Sequence, residues 1–242
     1  MNFLHSGRAF LLPCLFFLLP LLAEERSSMN LLPFPRQIAF ERSAPFRLNA
    51  SFTLDIRGEC EERLYKAAER MLRRLAGRTG LFFPQGPLNR EGAPESPSMV
   101  VVCKRKGKVA LGEDESYRLV VSEQRIDLFC ATDIGGIRVL ETLLQLLQAD
   151  ERGYFFPSVT LDDSPCFAWR GLLLDVCRHF MPMEVVKRNL DAMAAVKLNV
   201  FHWHLTEDQG FRVESKTFPQ LHRMGSDRSE ERRVGKECRS RW

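Results

Sequence analysis

The chain has 242 residues, 45% hydrophobic and 27% charged, with 35 basic and 31 acidic side chains and a formal net charge of +4. Residues 228–242 carry six of those basic and three of those acidic groups, so the remainder carries only +1. The apparent basicity therefore says nothing about nucleic acid or an anionic membrane surface.

In chain order, Arg8 precedes an apolar run from Ala9 to Leu22, interrupted by Pro13 and Pro20. Ala23 stands before Glu24-Glu25-Arg26. A basic residue, a short apolar core and a small exit residue describe a secretory signal peptide over residues 1–23. The rival is a membrane anchor, but the run falls short of the roughly 20 residues of a spanning helix, and two prolines weaken it. The expectation is a secreted or periplasmic protein with no membrane association after cleavage. Cys14 leaves with the signal. Cys60, Cys103, Cys130, Cys166 and Cys177 are irregularly spaced and give no disulfide framework or zinc pattern, so most are expected to be buried small hydrophobes.

Residues 30–161 form a first region. Leu32-Pro-Phe-Pro-Arg36 reads as extended. Glu59 to Ala76 is an amphipathic helix, with Leu64, Ala67, Ala68, Met71, Leu72 and Leu75 on one side. Gly77 to Ser98 is rich in glycine and proline and reads as a loop. Met99 to Cys103 reads as a buried strand. Tyr117 to Val121 and Arg125 to Cys130 flank a short polar turn and read as a hairpin. Ile137 to Gln148 is a second helix. Gly135-Gly136 precedes it, but no Lys-Ser/Thr follows, so the glycines mark a turn rather than a phosphate cradle. Strands interleaved with helices predict a small two-layer α/β domain.

Asp162-Asp-Ser-Pro165 is a turn-forming linker to a second region over residues 165–227. Arg170 to Val176 is an apolar strand ending in polar groups, Asp175, Arg178 and His179. Met183 to Lys197 is a helix with Val186, Leu190, Met193 and Ala194 at helical spacing, and Pro182 stands at its start. Asn199 to Leu205 is a second apolar strand with no solvent face, followed by Glu207 and Asp208. Two strands ending in ionisable residues around one helix predict one turn of a parallel α/β fold, with its working edge at the strands' C-terminal ends.

Phe167-Ala-Trp-Arg-Gly-Leu-Leu-Leu-Asp-Val-Cys-Arg-His-Phe180 and Lys197-Leu-Asn-Val-Phe-His-Trp-His-Leu-Thr-Glu-Asp-Gln-Gly-Phe-Arg212 resemble the opening of the catalytic barrel of the β-N-acetylhexosaminidases, family 20 of the glycoside hydrolases. The first region resembles the non-catalytic domain that precedes that barrel. The fold implied is α/β: a small two-layer domain followed by the first two strands of a truncated (β/α)8 TIM barrel. A whole barrel takes about 250 residues, of which residues 167–227 supply about a quarter.

The resemblance implies a glycan or chitin-oligosaccharide substrate with a terminal N-acetylhexosamine, no cofactor and no metal. It also implies a substrate-assisted retaining mechanism, in which the sugar's own 2-acetamido oxygen is the nucleophile. The Asp-Glu pair that serves this chemistry follows a His-x-Gly-Gly motif. The motif does not occur in this sequence, so no catalytic residue is assigned.

Two substrate-binding residues are assigned. Arg178 matches the arginine of the family's Asp-x-x-Arg-His-Phe motif, which holds hydroxyls of the terminal sugar. A planar guanidinium suits two neighbouring oxygens. The structural alternative is an ion pair with Asp175. Glu207 stands where the family commonly has Asp; it keeps the charge and adds one methylene. Asp208 is expected to brace the loop. His202 and His204 lie two apart on a strand and point the same way, which leaves open a metal-dependent TIM-barrel hydrolase. A non-catalytic carbohydrate-binding relative is the other alternative. Trp169, Trp203, Met181 and Met183 read as core packing.

Residues 228–242, Arg-Ser-Glu-Glu-Arg-Arg-Val-Gly-Lys-Glu-Cys-Arg-Ser-Arg-Trp, have no apolar periodicity. They resemble the translation of a sequencing adapter, in which AGA-TCG-GAA-GAG encodes residues 228–231. The expectation is that this segment is not native.

Overall fold

The computed structural model describes residues 30–83, 94–207 and 210–226. The expected signal peptide, the 228–242 segment and Asp208 lie outside the described residues. No described helix is long and apolar enough to cross a membrane.

The first region is built on a six-stranded sheet. Its strands are β1 (Gln37–Phe40), β3 (Leu54–Gly58), β4 (Met99–Arg105), β5 (Tyr117–Val121), β6 (Ile126–Thr132) and β9 (Val159–Asp163). Their spatial order is β1-β9-β5-β6-β4-β3. Strands β3, β4 and β6 run parallel, whereas β5, β9 and β1 pair antiparallel. A small antiparallel sheet joins β2 (Phe46–Arg47), β8 (Gly153–Phe156) and β7 (Gln148–Asp150).

Two helices cover one face of the large sheet. Helix α1 (Glu62–Thr79) buries Leu64, Ala67, Ala68, Met71 and Leu75, a spacing that makes one continuous stripe. It ends at Gly80, in the left-handed region at φ 70°, whose N–H bonds to the Ala76 carbonyl at 2.8 Å. Helix α2 (Asp133–Leu146) starts where the Thr132 hydroxyl accepts the Gly135 N–H at 3.2 Å. Along β6, Ile126, Leu128, Cys130 and Thr132 are buried, while Phe129 is exposed on the opposite face. That alternation is what a sheet with one covered face requires. Each fully buried leucine, Leu64 and Leu128 among them, contributes roughly 1.5–3 kcal/mol.

The two glycines at the start of α2 serve packing. A Cβ on Gly135 would stand 2.8 Å from the Ser116 carbonyl, and one on Gly136 would stand 2.8 Å from the Leu64 side chain. They let α2 settle onto the chain before β5 and onto α1.

The second region begins with β10 (Gly171–Asp175), α3 (Met183–Ala195) and β11 (Val200–His204). Strands β10 and β11 are parallel, in a register that sets Asp175 beside His204. After α3 the chain turns back through Lys197, a non-glycine at φ 61°, with the Leu198 N–H on the Met193 carbonyl at 2.8 Å. A two-residue hairpin, β12 (Thr206–Glu207) with β13 (Gly210–Phe211), and a short helix α4 (Pro219–Gly225) follow.

The parallel strand–helix–strand unit forms where the sequence places it, but the strands are not without a solvent face. Among the described residues β10 pairs only with β11, and Leu173 is exposed. Trp169 is not core either. It is 58% exposed and lies over the backbone of Gly171, where a Cβ would come within 2.5 Å of the indole. Met183 is likewise exposed.

The two regions meet through buried ionic contacts. Glu115, just before β5, accepts from Arg138 of α2 and from Arg170 before β10, each at 2.7 Å. The Lys197 ammonium donates to the Tyr117 hydroxyl at 2.6 Å and to Asp163 at 3.2 Å, and that hydroxyl donates to Asp163 at 2.6 Å. Burial pushes the Lys197 pKa down against the pull of Asp163. Burial would raise the Glu115 carboxyl, but hydrogen bonding to Arg170 and the charge of Arg138 outweigh it and hold it below its ordinary value.

Candidate substrate-binding site

Strand β10 delivers Asp175 to its C-terminal end. Its Oδ1 accepts the backbone N–H groups of Cys177 at 2.9 Å and Arg178 at 3.0 Å, which folds the chain into a tight turn beyond the strand. The turn brings the Arg178 guanidinium back over the strand end. Nη1 donates to Asp175 Oδ2 at 2.7 Å, and Nη2 lies 2.6 Å from Glu207 Oε2. The Arg178 N–H first, and then its guanidinium, hold the Asp175 carboxyl below the usual range despite the opposing effect of burial.

Both assigned substrate-binding residues therefore meet in one place, at the C-terminal ends of adjacent elements. The alternative of an Arg178–Asp175 ion pair is also realised, because the planar fork serves both carboxylates. Glu207 is mostly buried, and its Oε1 has no hydrogen-bond partner among the described residues. Arg178 keeps 58% of its side chain exposed. The exposed guanidinium, held in place by the carboxylate, offers a planar set of donors that suits two neighbouring sugar hydroxyls.

Two supporting residues were not singled out from the sequence. Arg212 is buried and donates to the Val176 carbonyl at 3.2 Å, the Cys177 carbonyl at 3.3 Å and the Ser226 carbonyl at 2.8 Å. It pins the turn that carries Arg178 to the segment after β11. Gly210 lets the β12–β13 hairpin close on that turn, since a Cβ there would stand 2.8 Å from the Cys177 carbonyl. The isolated glycine after two acids and an amide was the available signal for a close backbone approach.

Among the described residues, His202 and His204 do not form a joint ligand set: their ring centroids are 6.4 Å apart, and the group of possible ligand atoms within 4.8 Å of one another is Asp175, Cys177 and His204. Its donors fit a cation poorly. Asp175 Oδ2 already accepts from Arg178, whose positive charge would oppose a metal. Burial pushes the Cys177 thiol up, away from the thiolate that binds metal. Four of the five described cysteines are buried and Cys166 is exposed; all five are free thiols.

Comparison with known proteins places both regions. The family model described as glycosyl hydrolase family 20, catalytic domain, matches residues 167–240, a span that holds Arg178 and Glu207 and extends into the 228–242 segment. The model described as beta-acetyl hexosaminidase like matches residues 31–146. The beta-hexosaminidase subunit beta of Mus musculus is 33% identical over 220 residues, covering 86% of this chain and 40% of the relative. The beta-hexosaminidase subunit alpha of Bos taurus is 38% identical over 167 residues, covering 67% of this chain and 31% of the relative. Among solved structures, the Flavobacterium johnsoniae chitobiase superposes with a TM-score of 0.78 at 43% identity, covering 86% of this chain and 32% of that one. The exo beta-N-acetylglucosaminidase of Vibrio harveyi in complex with N-acetylglucosamine gives 0.65 at 33% identity, covering 81% and 28%. The chain thus spans well under half the length of each of these proteins.

Proposed function

The chain belongs to glycosyl hydrolase family 20, and from that premise we propose that the full-length protein is a β-N-acetylhexosaminidase removing terminal N-acetylhexosamine from glycans or chitin oligosaccharides. In this reading the sheet with its two covering helices is the non-catalytic domain. The β10–α3–β11 unit is the first quarter of a (β/α)8 barrel, which places Asp175, Arg178 and Glu207 at the barrel mouth. The observation that carries the proposal is the Arg178–Glu207 contact at 2.6 Å, with Arg178 exposed and Glu207 Oε1 buried without a hydrogen-bond partner among the described residues.

Arg178 and Glu207 grip hydroxyls of the terminal sugar and fix its position. The acetamido oxygen of that sugar then attacks the anomeric carbon, and the bond to the leaving oxygen breaks as that oxygen takes a proton from a glutamate. Water later opens the cyclised intermediate with retention. This chemistry requires the Asp-Glu pair that follows the family's His-x-Gly-Gly motif, and that motif does not occur in this sequence. The apolar run before Ala23 supports export, so the substrates would be extracellular or periplasmic glycans.

The test is a comparison of sugars on the full-length gene product. Hydrolysis of a nitrophenyl N-acetylglucosaminide that survives exhaustive chelation, with none of the matching glucoside, is the expected result. Equal rates on both sugars, lost on chelation and restored by zinc, would replace the reading with a metal-dependent hydrolase. No hydrolysis of either sugar, with retained glycan binding, would leave the carbohydrate-binding relative.

A further inference from the structure

His204 closes a circuit around the site. Its Nε2 lies 3.1 Å from the Thr206 carbonyl, which can only accept, so that nitrogen carries a proton. Its Nδ1 lies 3.4 Å from Asp175 Oδ2, the oxygen that also accepts from Arg178 at 2.7 Å. Arg178 in turn reaches Glu207, the neighbour of Thr206 in β12. The path from His204 through Asp175, Arg178 and Glu207 thus returns to His204 by way of one peptide unit and the Thr206 carbonyl.

Each ring nitrogen faces an oxygen acceptor, so the ring serves both contacts only when both nitrogens carry a proton, and the Nδ1–Asp175 contact is then an ion pair. The parallel register holds Asp175 and His204 side by side, and Cys177 braces the same point by donating its thiol to the His204 carbonyl at 3.5 Å. The His202 ring stands a further 6.4 Å off and takes no part.

From this geometry we infer that His204 is a positioning residue: by holding Asp175 Oδ2 and the Thr206 carbonyl it sets the angle between Arg178 and Glu207, and so the grip on the terminal sugar. It touches no substrate atom. Without the ring, Asp175 keeps its two turn hydrogen bonds and the bond from Arg178 but loses the second contact on Oδ2, so the carboxylate and Arg178 are free to turn together. The inference rests on the assignment of Arg178 and Glu207 as the sugar clamp.

The experiment is a mutant cycle on the full-length protein, assayed with a nitrophenyl N-acetylglucosaminide and checked by thermal melting. His204→Leu is expected to lower kcat/KM about 10-fold or more, chiefly through KM. His204→Asn sets an amide donor near the position of Nδ1 and is expected to recover most of that loss. His204→Gln sets its amide nearer Nε2 and is expected to recover less. In an Arg178→Ala background, His204→Leu is expected to cost little more, because its effect passes through Arg178. Equal losses in both backgrounds, or a folded His204→Leu protein with kcat/KM within about twofold of wild type, would overturn the inference. Should His204→Leu fail to fold, the order of Asn and Gln decides, and Gln equal to or better than Asn overturns it. An inactive wild-type protein would instead refute the hydrolase reading itself.

Discussion

Arg178 and Glu207 lie 29 positions apart, yet Nη2 of one stands 2.6 Å from Oε2 of the other. The contact exists because β10 and β11 are parallel neighbours in a register that sets Asp175 opposite His204. Both strands then end at the same edge, and the residues just beyond each end converge there. The turn after Asp175 points Arg178 inward, and Arg212 ties that turn to the segment beyond the hairpin.

The Glu115 cluster should tie the two regions together in a pH-dependent way. The folded-state pKa of Glu115 is depressed below 4.5. The ionised form is therefore favoured by folding, and its contribution is present above that value and lost as pH falls toward the depressed pKa. Glu115→Gln leaves Arg138 and Arg170 without their buried counter-charge, which is expected to cost about 3–5 kcal/mol near neutral pH. Melting temperatures of wild type and variant should converge as the pH drops below 4.5. A gap independent of pH would show that the charge on Glu115 is not what holds the junction.

Two glycines at positive φ should differ sharply when changed to alanine. Gly58 sits at φ 90°, and a Cβ there would lie 2.0 Å from the Cys103 carbonyl oxygen. Gly112 sits at φ 79° with nothing within 4 Å. Gly112→Ala is expected to cost about 1 kcal/mol from backbone strain alone. Gly58→Ala must also part β3 from β4 and should cost several times as much. Equal denaturation midpoints for the two variants would contradict the close approach at Gly58.

Legibility in the sequence followed how much each feature depends on local pattern. The β5–β6 hairpin and the β10–α3–β11 unit were readable because apolar runs of strand length are bounded by turns and by a helix of clear period. The sequence pattern starts helix α1 at Glu59, three residues before its true start, and ends it before Gly77. In fact the helix runs through Gly77 and stops at Gly80, where the left-handed cap forms. Strands β1, β3 and β9 were missed. They are short, their partners are distant, and β9 extends to Asp163, past the expected domain edge at 161. In the site, Arg178 and Glu207 were named through the resemblance. Arg212, Gly210 and the tie through His204 depend on which backbone carbonyls face each other, and no sequence pattern shows that.

Long-read sequencing of the locus should replace residues 228–242. The expected product continues from Gly225-Ser-Asp227 into further strand–helix units and a Gly-Gly-Asp-Glu segment. Recovery of the same fifteen residues followed by a stop codon in the genome would show that the segment is native, a possibility with which the family match to residue 240 is compatible.

The most direct measurement for the sugar clamp is kcat/KM of Arg178→Ala and Arg178→Lys in the full-length protein, on a nitrophenyl N-acetylglucosaminide. Hydrogen bonds from a charged donor contribute roughly 1.5–3 kcal/mol each, so losing one or two predicts a fall of about 10- to 1,000-fold or more for Arg178→Ala. Arg178→Lys should recover little, because a point charge cannot reach Asp175, Glu207 and a sugar hydroxyl from one plane. A folded Arg178→Ala protein with near wild-type kcat/KM would contradict the assignment and remove the pair from the site.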